Sequence, residues 1–148
     1  MSIFPFINPE MAGQTERALP LFQEYAYDFT ENRLLLDEEN RTYLVQGNAA
    51  LRIWIFKALS TARFRYTAYS PDFGNEYEDN LIGQNISEDV LAAEMERYII
   101  ECLMVNPYIQ ELSNFQFEIH TSGTDVSFDC LTIYGEEKMI FLMEGVSA

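Results

Sequence analysis

Phe115-Gln116-Phe117-Glu118-Ile119-His120, then Thr121-Ser122-Gly123-Thr124, then Asp125-Val126-Ser127-Phe128-Asp129-Cys130 is the stretch that decides the fold. Apolar and polar side chains alternate on both sides of a cluster of turn-forming residues. That is the pattern of two strands, each with one buried face, joined as a hairpin. From Leu131 to Tyr134 both faces are largely apolar. Met139 to Met143 is an unbroken apolar run, which predicts a strand that is central or covered by another element.

Upstream of this hairpin the period changes. Leu51, Trp54, Ile55, Ala58 and Leu59 recur at helical spacing after Gly47-Asn48, and Ile53 and Phe56 add apolar area on the other side. Only Arg52 and Lys57 interrupt the pattern, so this helix is expected to be buried on more than one side. A second helix is expected from Ser87, an N-cap residue followed by Glu88 and Asp89 in the positively polarised first turn. Ile86 and Leu91 are placed for a hydrophobic staple. Leu91, Met95, Tyr98, Ile99, Cys102 and Leu103 then share one face, and Asn106-Pro107 ends the helix.

Short β signals precede the first helix. Tyr25, Tyr27 and Phe29 alternate with Ala26 and Asp28, Leu34 to Leu36 follow a turn, and Arg41 to Val45 follow another at Asp37-Glu38-Glu39-Asn40. Together they read as a meander. Phe64 to Tyr69 read as a further extended segment, ending in the turn Ser70-Pro71-Asp72-Phe73-Gly74. Residues 1–20 stand apart: Pro5, Pro9, Gly13 and Pro20 break any regular pattern, while Ile3, Phe4, Phe6 and Ile7 supply apolar side chains. They read as an extended arm, laid over the domain or docked on a neighbour, with residues 21–148 as one domain. The fold class is α+β: a mostly antiparallel sheet, with an N-terminal meander and a C-terminal hairpin, packed on two main helices.

Composition bounds the function. The 148 residues carry 24 acids against 9 bases, a net charge of −15 that repels phosphate backbones and anionic lipid headgroups. Direct binding to nucleic acid or a membrane surface is therefore not expected, although an acidic inhibitor that mimics nucleic acid is one alternative reading. No apolar run approaches the ~20 residues of a membrane-spanning helix, and the N-terminus lacks the pattern of a secretory signal, so the chain is expected to be made in the cytoplasm. Cys102 and Cys130 lie in apolar patterns and are expected to be buried free thiols.

Catalytic equipment is sparse. His120 is the one histidine, sits on the polar side of its strand, and has no Cys or His at ligand spacing, so neither a metal site nor a His-dependent nucleophile is expected. The 7 glycines form no phosphate loop, and no cofactor is implied. Glu76, Glu78 and Asp79 are the candidates for the two carboxylates of glycoside hydrolysis, but such clusters arise by chance in so acidic a chain.

The most distinctive stretch runs from Ala58 to Gly83. Leu59 and Thr61, then Pro71-Asp72-Phe73-Gly74, then Leu81 follow in the order seen in the baseplate wedge family of contractile phage tails, also called sheath initiators or the lysozyme-like wedge family. Asn32 to Asp37, Arg63 to Tyr66, Val105-Asn106-Pro107-Tyr108-Ile109 and Thr132-Ile133-Tyr134-Gly135 resemble the branch found in defective prophages and phage-tail-like bacteriocins. One departure is clear: the family's Gly-Glu-Arg element reads Ala62-Arg63-Phe64-Arg65, without its glutamate.

The resemblance implies a structural subunit, present in multiple copies around the tail axis and assembled into the baseplate of a virion or phage-tail-like particle. It implies a fold like the inner domain of the sheath subunit. It also implies sheet edges joined by strand exchange with the first sheath ring, and contacts with tube or tube-initiator and other wedge proteins. Arg63, Arg65, Tyr69, Pro71, Asp72, Phe73 and Gly74 are its candidate partner-binding residues. The family's older label leaves a muramidase as the enzymatic alternative.

Overall fold

The computed structural model describes residues 19–61, 73–75 and 87–144. Residues 1–18 of the expected arm, the Phe64–Tyr69 segment and Ile86 of the expected staple lie outside them. Strands β1 (Gln23–Tyr25), β2 (Tyr27–Asp28), β3 (Arg33–Leu34) and β4 (Leu44–Gln46) precede helix α1 (Asn48–Ser60). Helix α2 (Glu88–Leu103) and the strands β5 (Ile109–Ile119), β6 (Gly123–Thr132) and β7 (Gly135–Glu144) follow. The three long strands form one antiparallel sheet in the order β5-β6-β7, and the short ones pair antiparallel as β1-β4 and β2-β3.

The core lies between α1, α2 and one face of the long sheet. Ile55, Ala58 and Leu59 of α1 meet Leu91, Met95, Ile99 and Leu103 of α2, and both sets cover Val126, Phe128, Cys130, Met139 and Met143. As its pattern predicts, α1 is buried on several sides, because it also packs on β1, β4 and β7. Ser87 occupies the N-cap position of α2 in extended geometry, but its side chain makes no capping bond.

The N-terminal reading needs correction. Tyr25 and Phe29 are exposed, and the buried residue of that stretch is Ala26. The chain breaks there because Ala26 bonds to both sides: its N–H donates to Tyr43 O at 2.8 Å and its carbonyl accepts from Leu35 N at 2.9 Å. Two nested hairpins result instead of a simple meander. β6 ends at Thr132, and Ile133-Tyr134 form a turn instead of continuing the strand.

Burial pushes the Cys130 thiol up to about 11, with the nearby Glu137 carboxylate adding to the shift. A thiol raised in the folded state contributes stability that is whole below its unfolded value near 9 and is lost as pH rises towards 11. The chain should therefore lose stability over pH 9–11 more steeply than a Cys130→Ala variant, by about 1.4 kcal/mol per pH unit at most. Equal slopes in urea titrations would refute this. Neither Cys102 nor Cys130 is disulfide-bonded, and both are buried, in agreement with the expectation.

Candidate assembly interface

Gly135, at φ 124°, follows the two-residue turn after Thr132, and the register from Thr132↔Gly135 to Gly123↔Glu144 runs without a shift. In an antiparallel hairpin with a two-residue loop, the pair closing the loop exchanges the ladder bonds. The alternation then gives the odd-numbered β7 backbone groups to β6. Glu136, Lys138, Ile140 and Leu142 turn their N–H and C=O groups to the other side, where no strand pairs with them among the described residues. The apolar run Met139–Met143 is thus at the edge of the sheet, not central. Met139 and Met143 are buried, but Ile140 is 77% exposed and Leu142 46% exposed, so the outer face is open among the described residues.

Beside this edge runs a groove of about 250 Å³ lined by Phe29, Arg52, Ile55, Phe56, Phe128 and the Lys138–Phe141 segment. Its walls are aromatic: Phe56 stacks on Phe29 at 4.2 Å and meets Phe141 edge-on at 5.8 Å. Two cations line it. Arg52 Nη2 lies 2.5 Å from Glu137 Oε2, whereas Lys138 makes no ion pair among the described residues. Arg33, Arg41, Lys57 and Arg97 are each held by acids of their own neighbourhood. Glu94 leads the contacts that raise the Arg97 guanidinium above its ordinary value, so its charge is fixed.

A sequence model of contractile injection system sheath initiators matches residues 23–135. The chain belongs to this family. It is also 27% identical over 128 residues to the phage-like element PBSX protein XkdS of Bacillus subtilis (strain 168), an alignment covering 86% of each chain. A sheath initiator is a structural component of a contractile tail or phage-tail-like particle, and that is the role of this chain.

Several sequence landmarks of the sheath initiator meet in the structure. Tyr108 donates its hydroxyl to Pro20 O at 2.5 Å, and the Tyr134 hydroxyl accepts from Phe22 N at 2.9 Å. Between them they hold the chain at Pro20 and Phe22. Of the candidate partner-binding residues, Arg63, Arg65, Tyr69, Pro71 and Asp72 lie outside the described residues. Phe73 is half-buried against Trp54 at 5.9 Å, and Gly74 is buried at φ 105°, a backbone conformation that favours glycine. The described part of this motif is therefore fastened to α1. Asn75, which the sequence reading passed over, does the fastening: it is 1% exposed and its Nδ2 donates to Leu59 O at 2.7 Å and Thr61 O at 2.9 Å.

His120 is exposed as expected, but the hairpin brings two carboxylates to it. Its Nε2 lies 3.0 Å from Asp125 Oδ2 and 3.9 Å from Glu118 Oε1, and the donor atoms of the trio fall within 4.8 Å of one another. Glu118 and Asp125 are directly paired across β5 and β6, where like charges repel, and the imidazole Nε2 lies close to both. This contact holds the hairpin end. The carboxylates first considered for glycoside hydrolysis, Glu76, Glu78 and Asp79, lie outside the described residues.

Proposed function

We propose that this sheath initiator joins wedge and tube components of the baseplate and starts the sheath by accepting a strand of the first sheath ring on β7. The observation that carries this reading is the β7 edge, where Ile140 is 77% exposed beside backbone groups that no described strand uses. A row of bare N–H and C=O groups is a template for another strand, and soluble proteins normally blunt such edges. Here it is left long and apolar. Its occupant is the sheath subunit, and the stretch from Arg63 to Gly74 is a second assembly contact that sheath attachment needs, since arginine bridges a neighbour's carboxylates bidentately. The subunit is made in the host cytoplasm and enters the particle in several copies. It performs no chemistry of its own.

Ile140→Pro tests this directly. Proline removes the N–H that faces the free edge and leaves the bonds to β6 intact, so the subunit should fold while particles lose their sheath. Electron microscopy of particles assembled with the variant reads the outcome. Full-length sheaths at wild-type frequency would overturn strand addition at β7. Arg63→Ala with Arg65→Ala, in the same assay, should leave the subunit folded and stop sheath attachment. Clearing of cell-wall substrate by the purified protein above a heat-killed control would revive the muramidase reading.

A further inference from the structure

Exposure along β7 alternates with the strand period. Met139 and Met143 are buried under the helices, and Phe141 is half-buried on the same face. Lys138, Ile140 and Leu142 turn to the opposite face and are exposed. The even-numbered backbone groups point away from β6, so a strand added there pairs with these residues directly. Lys138 makes no ion pair among the described residues, and its neighbour across the sheet, Asp129, accepts from Asn114 Nδ2 at 2.7 Å.

The sequence of this edge is complementary to itself. Lys138-Met139-Ile140-Phe141-Leu142-Met143-Glu144 reads base, Met, aliphatic, Phe, aliphatic, Met, acid. Laid antiparallel on a second copy about Phe141, it sets Lys138 opposite Glu144, Met139 opposite Met143 and Ile140 opposite Leu142, each twice by the twofold. Every cross-strand pair then joins opposite charges or two apolar groups, the combinations that stabilise a sheet. The hydrogen bonding agrees. Phe141, whose backbone groups go to β6, falls on the axis as a non-hydrogen-bonded pair, and the even-numbered residues on either side exchange their free N–H and C=O groups. Centring the pair on Met139, Ile140 or Leu142 sets a charged residue opposite an apolar one, and centring it on Lys138 sets two ammonium groups together.

We propose that free subunits pair through their β7 edges as an antiparallel, twofold dimer centred on Phe141, which joins two three-stranded sheets into one. The occupant of the edge before assembly is thus a second copy of this chain. Such a pairing covers the apolar edge that a lone subunit leaves open to uncontrolled association, and the isologous contact closes after one addition. Net charge −15 on each copy opposes association, so the dimer is weak enough to give way to another strand. The pairing depends on the edge alone, and it stands or falls separately from the identity of the strand that later joins.

Analytical ultracentrifugation of the full chain at about 100 μM and ~0.15 M salt should show a species of twice the 17.2 kDa monomer mass, dissociating on dilution. Amide exchange should show protection at Lys138, Ile140 and Leu142 that rises with concentration. Because the twofold repeats each pair, Lys138→Glu changes two contacts from attraction to repulsion and should weaken the dimer about tenfold. Glu144→Lys should do the same, and the two substitutions together should restore wild-type association. A monomer throughout this range would overturn the proposal, as would a dimer that ignores Lys138→Glu or a double variant no better than either single one. Loss of sheath from Ile140→Pro particles is a separate readout, so a monomeric subunit would leave strand addition at β7 standing.

Discussion

Phe128→Ala should lower the free energy of unfolding by about 3–5 kcal/mol, the range for deleting a fully buried aromatic side chain. Phe128 is 0% exposed at the middle of β6, stacks on Phe115 at 5.2 Å, and sits beneath Ile55 of α1 within the main cluster. Its ring therefore links the sheet to α1, and removing it leaves a hole that neither a strand nor a helix can close by a small shift. A domain of this kind holds about 5–15 kcal/mol in total, so the variant should be marginal at 37 °C. Because Phe128 also lines the groove beside β7, part of the cavity opens there and the loss falls towards the lower end of the range. Phe128→Leu keeps most of the volume and should cost about 1–2 kcal/mol. Urea unfolding of both variants checks the ordering. An alanine variant within 1 kcal/mol of wild type would mean that α1 does not depend on this contact.

What the sequence made legible divides along physical lines. The helix after Gly47 and the helix after Ser87 could be read because their apolar residues recur at i, i+3 and i+4, and the hairpin around Gly123 because alternation persists over several residues on both strands. The first half of β5 was not legible. Asn114, at φ 55°, sits where the register shifts between Ser113 and Gln116, and such an irregularity destroys the period of two that marks a strand. The Tyr25-Tyr27-Phe29 alternation was right only in part: Tyr27 and Phe29 pack on Phe56, but Tyr25 is exposed and the fully buried residue of the stretch is Ala26, whose backbone bonds to Tyr43 and Leu35 interrupt the strand.

The edge position of β7 was not legible for a different reason. A run such as Met139–Met143 has the same composition whether both faces are covered or only the one under the helices, as here for Met139 and Met143. Among the described residues, the topology separates the two by placing β7 last in its sheet with Ile140 outward. The family landmarks had a further meaning that spacing alone does not disclose. Tyr108 and Tyr134, far apart in sequence, meet at Pro20 and Phe22.

Asn75→Ala should cost about 2–3 kcal/mol, and Asn75→Asp should cost more. Helix α1 ends without a glycine cap: Thr61 is extended, at φ −110° and ψ 124°, and its N–H reaches Ala58 O only at 3.4 Å. The carbonyls of the last turn are instead met from outside the helix. Asn75 Nδ2 donates to Leu59 O at 2.7 Å and Thr61 O at 2.9 Å, and its backbone N–H donates to Thr61 O at 2.8 Å. Alanine retains the backbone bond to Thr61 O and removes the two amide hydrogen bonds to Leu59 O and Thr61 O, at about 1–1.5 kcal/mol each. Aspartate has the same shape but is acceptor-only when ionised, so it turns attraction into repulsion against those same oxygens. Thermal melts should rank wild type above alanine and alanine above aspartate; an aspartate variant as stable as wild type would show that the amide does not carry this cap. The contact between Asn75 and Thr61 also closes the base of residues 62–72, the stretch that holds Arg63 and Arg65. If those arginines are the partner-binding residues, Asn75→Ala should impair sheath attachment at temperatures where the subunit is still folded, and normal particles from it would separate the cap from the assembly role.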